Sequence, residues 1–343
     1  MAAPSALQTL RSFGIQIASD TAEFNQITEF ADAGYISDAT SNPSLIYAAV
    51  SKPEYAHLVW DAVAYAVAKK GRAPEREGRD GAGDGPPGCA DPRLAYDTEG
   101  ITAKAHSLVS LLAELGIPRH RVLIKIPATY EGILAAQRLE SQSPPVHTNM
   151  TLVFGLVQAA ACAQAGAKVI SPFIGRVKDF WDTKLGRSSC TSLAKHPGIL
   201  LVRAIRVLYA ASSSKTPPEI LAAGFRAPEE VIELGAYGRE GGPDAVTIPP
   251  SLVAGLRDMQ QKELKMRPLE AVGRPEPETQ TRYFGDGVVN GAQAYARDIS
   301  AEEIAAVKVP EGLLKFSMDA QKMEEMLRGR VVAAVGESVS AML

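Results

Sequence analysis

The chain has 343 residues, 46% hydrophobic and 22% charged, enough for one large α/β domain or two smaller ones. Its net charge of -3 gives no reason to expect nucleic acid or a membrane as the main partner, and leaves room for local basic pockets that hold small anions. Three separated cysteines (Cys89, Cys162, Cys190), five scattered histidines, and no stretch near the roughly 18 apolar residues of a membrane span argue against a disulfide framework, a metal site and membrane insertion. The N-terminus lacks the apolar core of a secretory signal, so the expectation is a soluble cytoplasmic protein in a reducing compartment.

Short apolar runs then alternate with helical patterns. FGIQIASD (13–20) reads as a strand ending on Asp20, and YISDATSN (35–42) as a second that carries Asp38, Thr40 and Asn42 at its end. From Lys69 the chain runs KKGRAPEREGRDGAGDGPPGCADPRLAYDTEG, with six glycines and three prolines between Gly71 and Gly88. That composition buries too little apolar area to offset the entropy of ordering it, so residues 70–92 are expected to be a disordered segment. ITAKAHSLVSLLAELG follows with apolar residues three and four apart, a helix. The next strands are RVLIKIPAT (121–129), HTNMTLVF (147–154), AKVISPFIG (167–175), PEILAAGFR (218–226) and DAVTIPPSL (244–252), with the helix former LVQAAACAQAG among them. Residues 178–197 and 260–283 read as long loops. Residues 311–327 pattern as a C-terminal helix with Leu313, Leu314, Met318 and Met326 available for burial.

Strand then helix, repeated, means parallel pairing with helices outside. No GxGxxG follows the first strand, and the repeats continue past six, so the expected fold is a single (β/α)8 TIM barrel over residues 1–343. Seven strands are found where a barrel wants eight. The gap lies between Asn42 and Arg121, so the barrel is expected to be incomplete at its third strand.

Barrel active sites gather at the C-terminal ends of the strands. Polar residues there are Asp20, Asp38, Thr40, Asn42, Lys125, Thr129, Asn149, Thr151, Ser171, Arg176 and Arg226. Lys125 sits inside an otherwise apolar run, where a charge is costly unless paired or lost. Three readings stand: a lysine snorkelling to solvent, a structural ion pair with Asp20 or Asp38, or an amine whose pKa is lowered until it can attack a carbonyl. Asp20 before TAEF also looks like a helix cap, Asp38 like a turn residue, and Asn42 before Pro43 like a helix start. Arg176 and Arg226 suit bidentate phosphate binding at strand ends, or the surface.

ASD (18–20), DATSNPSLI (38–46), RLAYDTEG (93–100), RVLIKIPATYEG (121–132), NMTLVF (149–154), ISPFIGR (170–176), GFR (224–226) and TIPPSL (247–252) together resemble the transaldolase family, in its order and over nearly the whole chain. The resemblance implies a cofactor-free, metal-free barrel that moves a dihydroxyacetone unit from sedoheptulose 7-phosphate or fructose 6-phosphate to an aldose phosphate in the pentose phosphate pathway. It implies Lys125 as the Schiff-base lysine, Asp20 as general acid/base, and Thr151 as the residue that orients the catalytic water. Asn42, Thr40, Asn149 and Ser171 would hold the dihydroxyacetone unit, and Arg176 and Arg226 the phosphate. Sugar phosphates are then the partners, with a homodimer left open.

The departures are specific. The family has a strand ending like STEVD before RLAYDTEG, whose glutamate helps place the water. Here PPGCA stands there, with Cys89 near the glutamate's place, and Glu99 in DTEG reads as a helix start instead. Either a coding segment is missing or the natural protein has lost it. Pro249 and Ser251 in TIPPSL, and Gly224 where serine is common, are lesser departures. A sugar-phosphate-binding pseudoenzyme and a simple aldolase of the same superfamily are the alternative functions.

Overall fold

A computed structural model describes residues 4–70, 91–212, 216–259, 265–267, 281–285 and 287–342. In chain order, α1 (Ala6–Ser12) precedes β1 (Gln16–Asp20), α2 (Phe24–Asp32), β2 (Asp38–Thr40), α3 (Pro43–Val50) and α4 (Ala56–Lys70). Beyond residues 71–90, which lie outside the described residues together with most of the segment expected to be disordered, come α5 (Thr98–Glu114), β3 (Ile124–Pro127) and α6 (Tyr130–Glu140). Then follow β4 (Thr148–Val153), α7 (Leu156–Gln164), β5 (Val169–Pro172), α8 (Ile174–Leu185) and α9 (Pro197–Ala211). The rest is β6 (Glu219–Ala223), α10 (Pro228–Gly235), α11 (Gly238–Gly241), β7 (Ala245–Ile248), α12 (Pro250–Asp258), α13 (Gly291–Ala301) and α14 (Glu303–Met342).

All pairings are parallel, in the order β2-β1-β7-β6-β5-β4-β3. The pairing of β1 with β7 joins the first strand to the last, as barrel closure requires. Consecutive β2 and β3 instead form opposite edges, which is the order left when the third strand of an eight-stranded barrel is removed. The fold is therefore a curled, incomplete TIM barrel among the described residues. The Lys125 Nζ donates to Ser41 O at 3.1 Å, so the two edges curl close to one another.

The strands are shorter than the apolar runs because the ends of those runs start helices. Phe173 opens α8, and Pro250 sits in the first turn of α12, where its missing N–H costs nothing. Ile17, Ile124, Ile126, Met150, Ile170, Ile220 and Val246 face the helices in the main core. Their alternates Ala18, Leu123, Val169, Leu221 and Ala245 pack together on the inner face of the sheet.

A third cluster seats α14 on the barrel mouth: Leu152, Phe154, Val177 and Phe180 meet Ile304, Val309, Leu313 and Phe316. The C-terminal helix is longer than its expected span, beginning at Glu303 and carrying Pro310 inside it. Just before it, Glu302 Oε1 accepts from Val157 N at 3.0 Å and so caps α7, whose own N-cap Gly155 has no side chain. A Cβ at Gly155 would stand 1.9 Å from Glu302 Oε2, so only glycine admits that carboxylate. No helix among the described residues is long and apolar enough to cross a membrane.

Candidate active site

Strand alternation puts Asp20, Thr40, Lys125, Asn149, Thr151, Ser171 and Thr247 on the inner face, above the inner apolar layer. Lys125 pairs in register with Asn149, and Asp20 with Thr40. The expected polar residues of these strands are therefore brought together at one mouth, although no strand lies between β2 and β3 among the described residues.

Around Asp20 a relay of hydroxyls forms. Thr40 Oγ1 donates to Asp20 Oδ1 at 2.8 Å and lies 2.6 Å from Thr247 Oγ1, so the single Thr40 hydrogen goes to the carboxylate and Thr247 donates to Thr40. Asp20 is not a helix cap, since α2 is preceded by Glu23. Asp38 is not a turn residue: it opens β2, pairs in register with Ala18, and its exposed carboxylate accepts from Ala39 N at 2.7 Å. Asn42 takes the helix-start reading: its Oδ1 accepts from Leu45 N at 3.1 Å at the head of α3, which leaves its amide N–H groups for other partners.

Half-buried Lys125 has a neutral partner, the Ser41 carbonyl, and pairs with neither Asp20 nor Asp38. Of its three readings, the structural ion pair is the one the geometry does not show. Next to it on β4, Asn149 is buried and accepts from Ser171 Oγ at 2.8 Å. Thr151 Oγ1 is buried without a hydrogen-bond partner among the described residues. An unpaired buried hydroxyl costs about 1–3 kcal/mol, so this position favours a polar guest. The residue after it, Leu152, has φ 59, and the β4–β5 register shifts between Met150 and Val153. A non-glycine residue in the left-handed region stores of order 1–3 kcal/mol, and a bulge re-aims the side chains beside it.

Arg176 lies in the first turn of α8, with its Cζ 5.2 Å from the centre of the Phe173 ring and 5.7 Å from that of Phe316. Burial lowers its pKa from the usual guanidinium value and Arg226 lowers it further, partly offset by Glu311 and Asp179. Arg226 follows β6 and pairs with Asp179 at 2.7 Å in an exposed bridge. Gly224, two residues earlier, has φ +76, which accounts for glycine at this departure from the family pattern. Two guanidinium groups thus follow adjacent strands, β5 and β6.

Glu99, the glutamate that follows the gap, is exposed in the first turn of α5 and pairs with Arg138; Cys89 lies outside the described residues. Among the described residues, no three His, Cys, Asp or Glu side chains gather as a metal site. Sequence reasoning missed Thr247, Phe173, Phe316 and the buried pair His196 and Glu230. Alternation along DAVTIPP would have found Thr247, and Phe173 stands inside ISPFIGR. His196 and Glu230 carry no local signal, because they meet only in the fold.

The pattern of the family described as Transaldolase/Fructose-6-phosphate aldolase matches residues 90–327. The chain is 34% identical to a protein named Transaldolase B from Pasteurella multocida, over 95% of this chain and 99% of that protein. It is 35% identical to a transaldolase of Schizosaccharomyces pombe, over 96% of this chain and all (100%) of that one. A probable transaldolase of Dictyostelium discoideum is 33% identical over 94% of this chain.

Proposed function

The chain belongs to the transaldolase/fructose-6-phosphate aldolase family, and from that premise we propose that it transfers a dihydroxyacetone unit between sugar phosphates through a Schiff base on Lys125. The observation that carries this reading is the half-buried Lys125 on the inner face of the barrel, beside Asn149 and in no ion pair among the described residues.

In the proposed reaction the Lys125 amine adds to the ketose C2 carbonyl and water leaves, giving an iminium. Asp20 takes the proton of the C4 hydroxyl, the C3–C4 bond breaks, and its electron pair moves onto the iminium as an enamine. The aldehyde departs, and the acceptor aldehyde enters to run the same steps backwards. The Thr247–Thr40–Asp20 hydrogen bonds orient the carboxylate for that proton. Asn42, Asn149 and Ser171 hold the hydroxyls of the three-carbon unit, Thr40 lines the same wall, and the free Thr151 hydroxyl seats the water that forms and cleaves the iminium. Arg176 and Arg226 hold the phosphate.

Borohydride trapping of the chain with fructose 6-phosphate, followed by peptide mass spectrometry, tests the reading. A reduced three-carbon or six-carbon adduct on Lys125, absent from Lys125→Ala, is the expected result; a folded chain without adduct sinks it. Incubation with sedoheptulose 7-phosphate and glyceraldehyde 3-phosphate then separates transfer from simple release of dihydroxyacetone. A binding-only reading is favoured by one observation: no carboxylate from a strand between β2 and β3 is present among the described residues. Transfer by the purified protein eliminates it.

A further inference from the structure

Three residues distant in sequence meet above β4 and β5. A Cβ placed on Gly312 of α14 would lie 2.7 Å from Leu152 Cδ2 and 3.1 Å from Arg176 Nη1. Leu152 is fully buried in the apolar cluster beneath α14, so a shift of its side chain disturbs packed neighbours. The helix thus touches both residues at a position where a methyl group enters only if the ends of these side chains shift. One turn along α14, the buried Phe316 places its ring on the Arg176 guanidinium, which Phe173 of the barrel also contacts.

The carboxylates whose charge reaches Arg176 are already engaged. Glu311 pairs with Lys308 at 2.6 Å, and Asp179 pairs with Arg226 at 2.7 Å. Arg176 makes no ion pair or hydrogen bond among the described residues, so its N–H groups are held by ring contacts and by the bare edge of α14, not by a counter-ion. A guanidinium fixed by two aromatic faces, with its donors unspent, is prepared for an anion that supplies several acceptor oxygens.

We propose that Gly312 and Phe316 are positioning residues for the phosphate, so that the C-terminal helix sets phosphate affinity by fixing where Arg176 stands. This rests on the preceding reading, in which Arg176 and Arg226 take the phosphate of the sugar. Gly312 admits the guanidinium beside the helix, and Phe316 stops it from turning to the carboxylates around it.

The test is calorimetric titration of inorganic phosphate into the full chain and into Gly312→Ala, Phe316→Leu and Arg176→Ala, with near-ultraviolet circular dichroism to confirm folding. Expected is a roughly five-fold weakening in each of the first two variants and a larger loss in the third. The KM for fructose 6-phosphate should rise in step while kcat changes by less than about two-fold, a split that general loosening of the barrel does not produce. Should Gly312→Ala fail to fold, Phe316→Leu carries the test alone. Wild-type phosphate affinity in a folded variant overturns the proposal, as does a fall in kcat with KM unchanged. A wild-type chain that binds phosphate yet gives no borohydride adduct removes the transfer reading and, if the variants bind more weakly, upholds this one. An adduct together with unchanged phosphate affinity in the variants removes this one alone.

Discussion

Glu230 shows how one side chain fixes the backbone of a site residue. Its Oε2 accepts from Arg226 N at 2.7 Å, and its Oε1 stands 3.4 Å from His196 Nε2, long for a hydrogen bond. His196 is fully buried and uses Nδ1 to accept from Gly198 and Ile199 N, so it caps α9 while its other nitrogen is directed at the carboxylate. Burial pushes the Glu230 pKa up, but the His196 ring and the Arg226 and Ala227 amides outweigh it, and the net shift is downward from 4.5. A depressed carboxylate stabilises the fold fully above its unfolded value and loses that contribution as pH falls through the folded one. The melting temperature of wild type should therefore exceed that of Glu230→Gln at pH 7, with the gap closing below pH 4.5. A gap that stays constant into the acid range would be the contrary result. The contrast with Lys125 shows what a sequence can disclose. Lys125, Asn149 and Thr151 were legible because a two-residue period and a strand end place them. The His196–Glu230 pair, the left-handed Leu152 and the Gly312 contact each depend on where distant segments land, which no local pattern encodes.

At the scale of elements, α14 is attached by charge as well as by its apolar cluster. Arg93 joins the buried Asp91, through its Nε at 2.9 Å, to Glu324 of α14, through Nη1 at 2.9 Å. Removing the guanidinium leaves a buried carboxylate short of donors, so Arg93→Ala should lower stability by roughly 1–3 kcal/mol, read by urea unfolding. Loss of less than a few tenths would mean that the helix is seated by apolar contact alone. The pKa of Glu302 is shifted in the opposite direction to that of Glu230. Burial raises its pKa above 4.5, and the amides of Val157 and Leu156 only partly offset this. An acid with a raised folded pKa destabilises the fold at pH values above that pKa, and the penalty vanishes as pH falls below the unfolded value. Glu302→Gln keeps an oxygen for Val157 N and removes the charge, so it should melt higher than wild type at pH 7 and equally near pH 4. A lower melting temperature at pH 7 would show that the helix end needs the charge. Element type was legible here from the 311–327 pattern, but the start at Glu303 was not, because Glu302 is ordered by a cap on α7 and not by its own neighbours.

Among the described residues of the whole molecule, the sheet leaves an opening that a complete barrel lacks. Ile124 N bonds to His147 O and Ala128 N to Thr151 O, so the even residues of β3 face β4, and Lys125 and Pro127 face the gap. Pro127 has no N–H to leave unpaired, and on β2 the Ala39 amide is taken by the Asp38 side chain. Each edge is thus blunted by its own residues, and the Lys125 amine crosses to Ser41. The lysine proposed as the nucleophile lies on the β3 edge. Substrate bound to it would tie β3 to the Asp20 side of the mouth. Native-state hydrogen exchange should then find the Lys125 amide opening orders of magnitude faster than those of Ile220, Ala222 and Val246 in the interior strands, and fructose 6-phosphate should slow it. Protection at Lys125 in the free chain equal to that of the interior strands would show that residues outside the described set pair with this edge and complete the barrel.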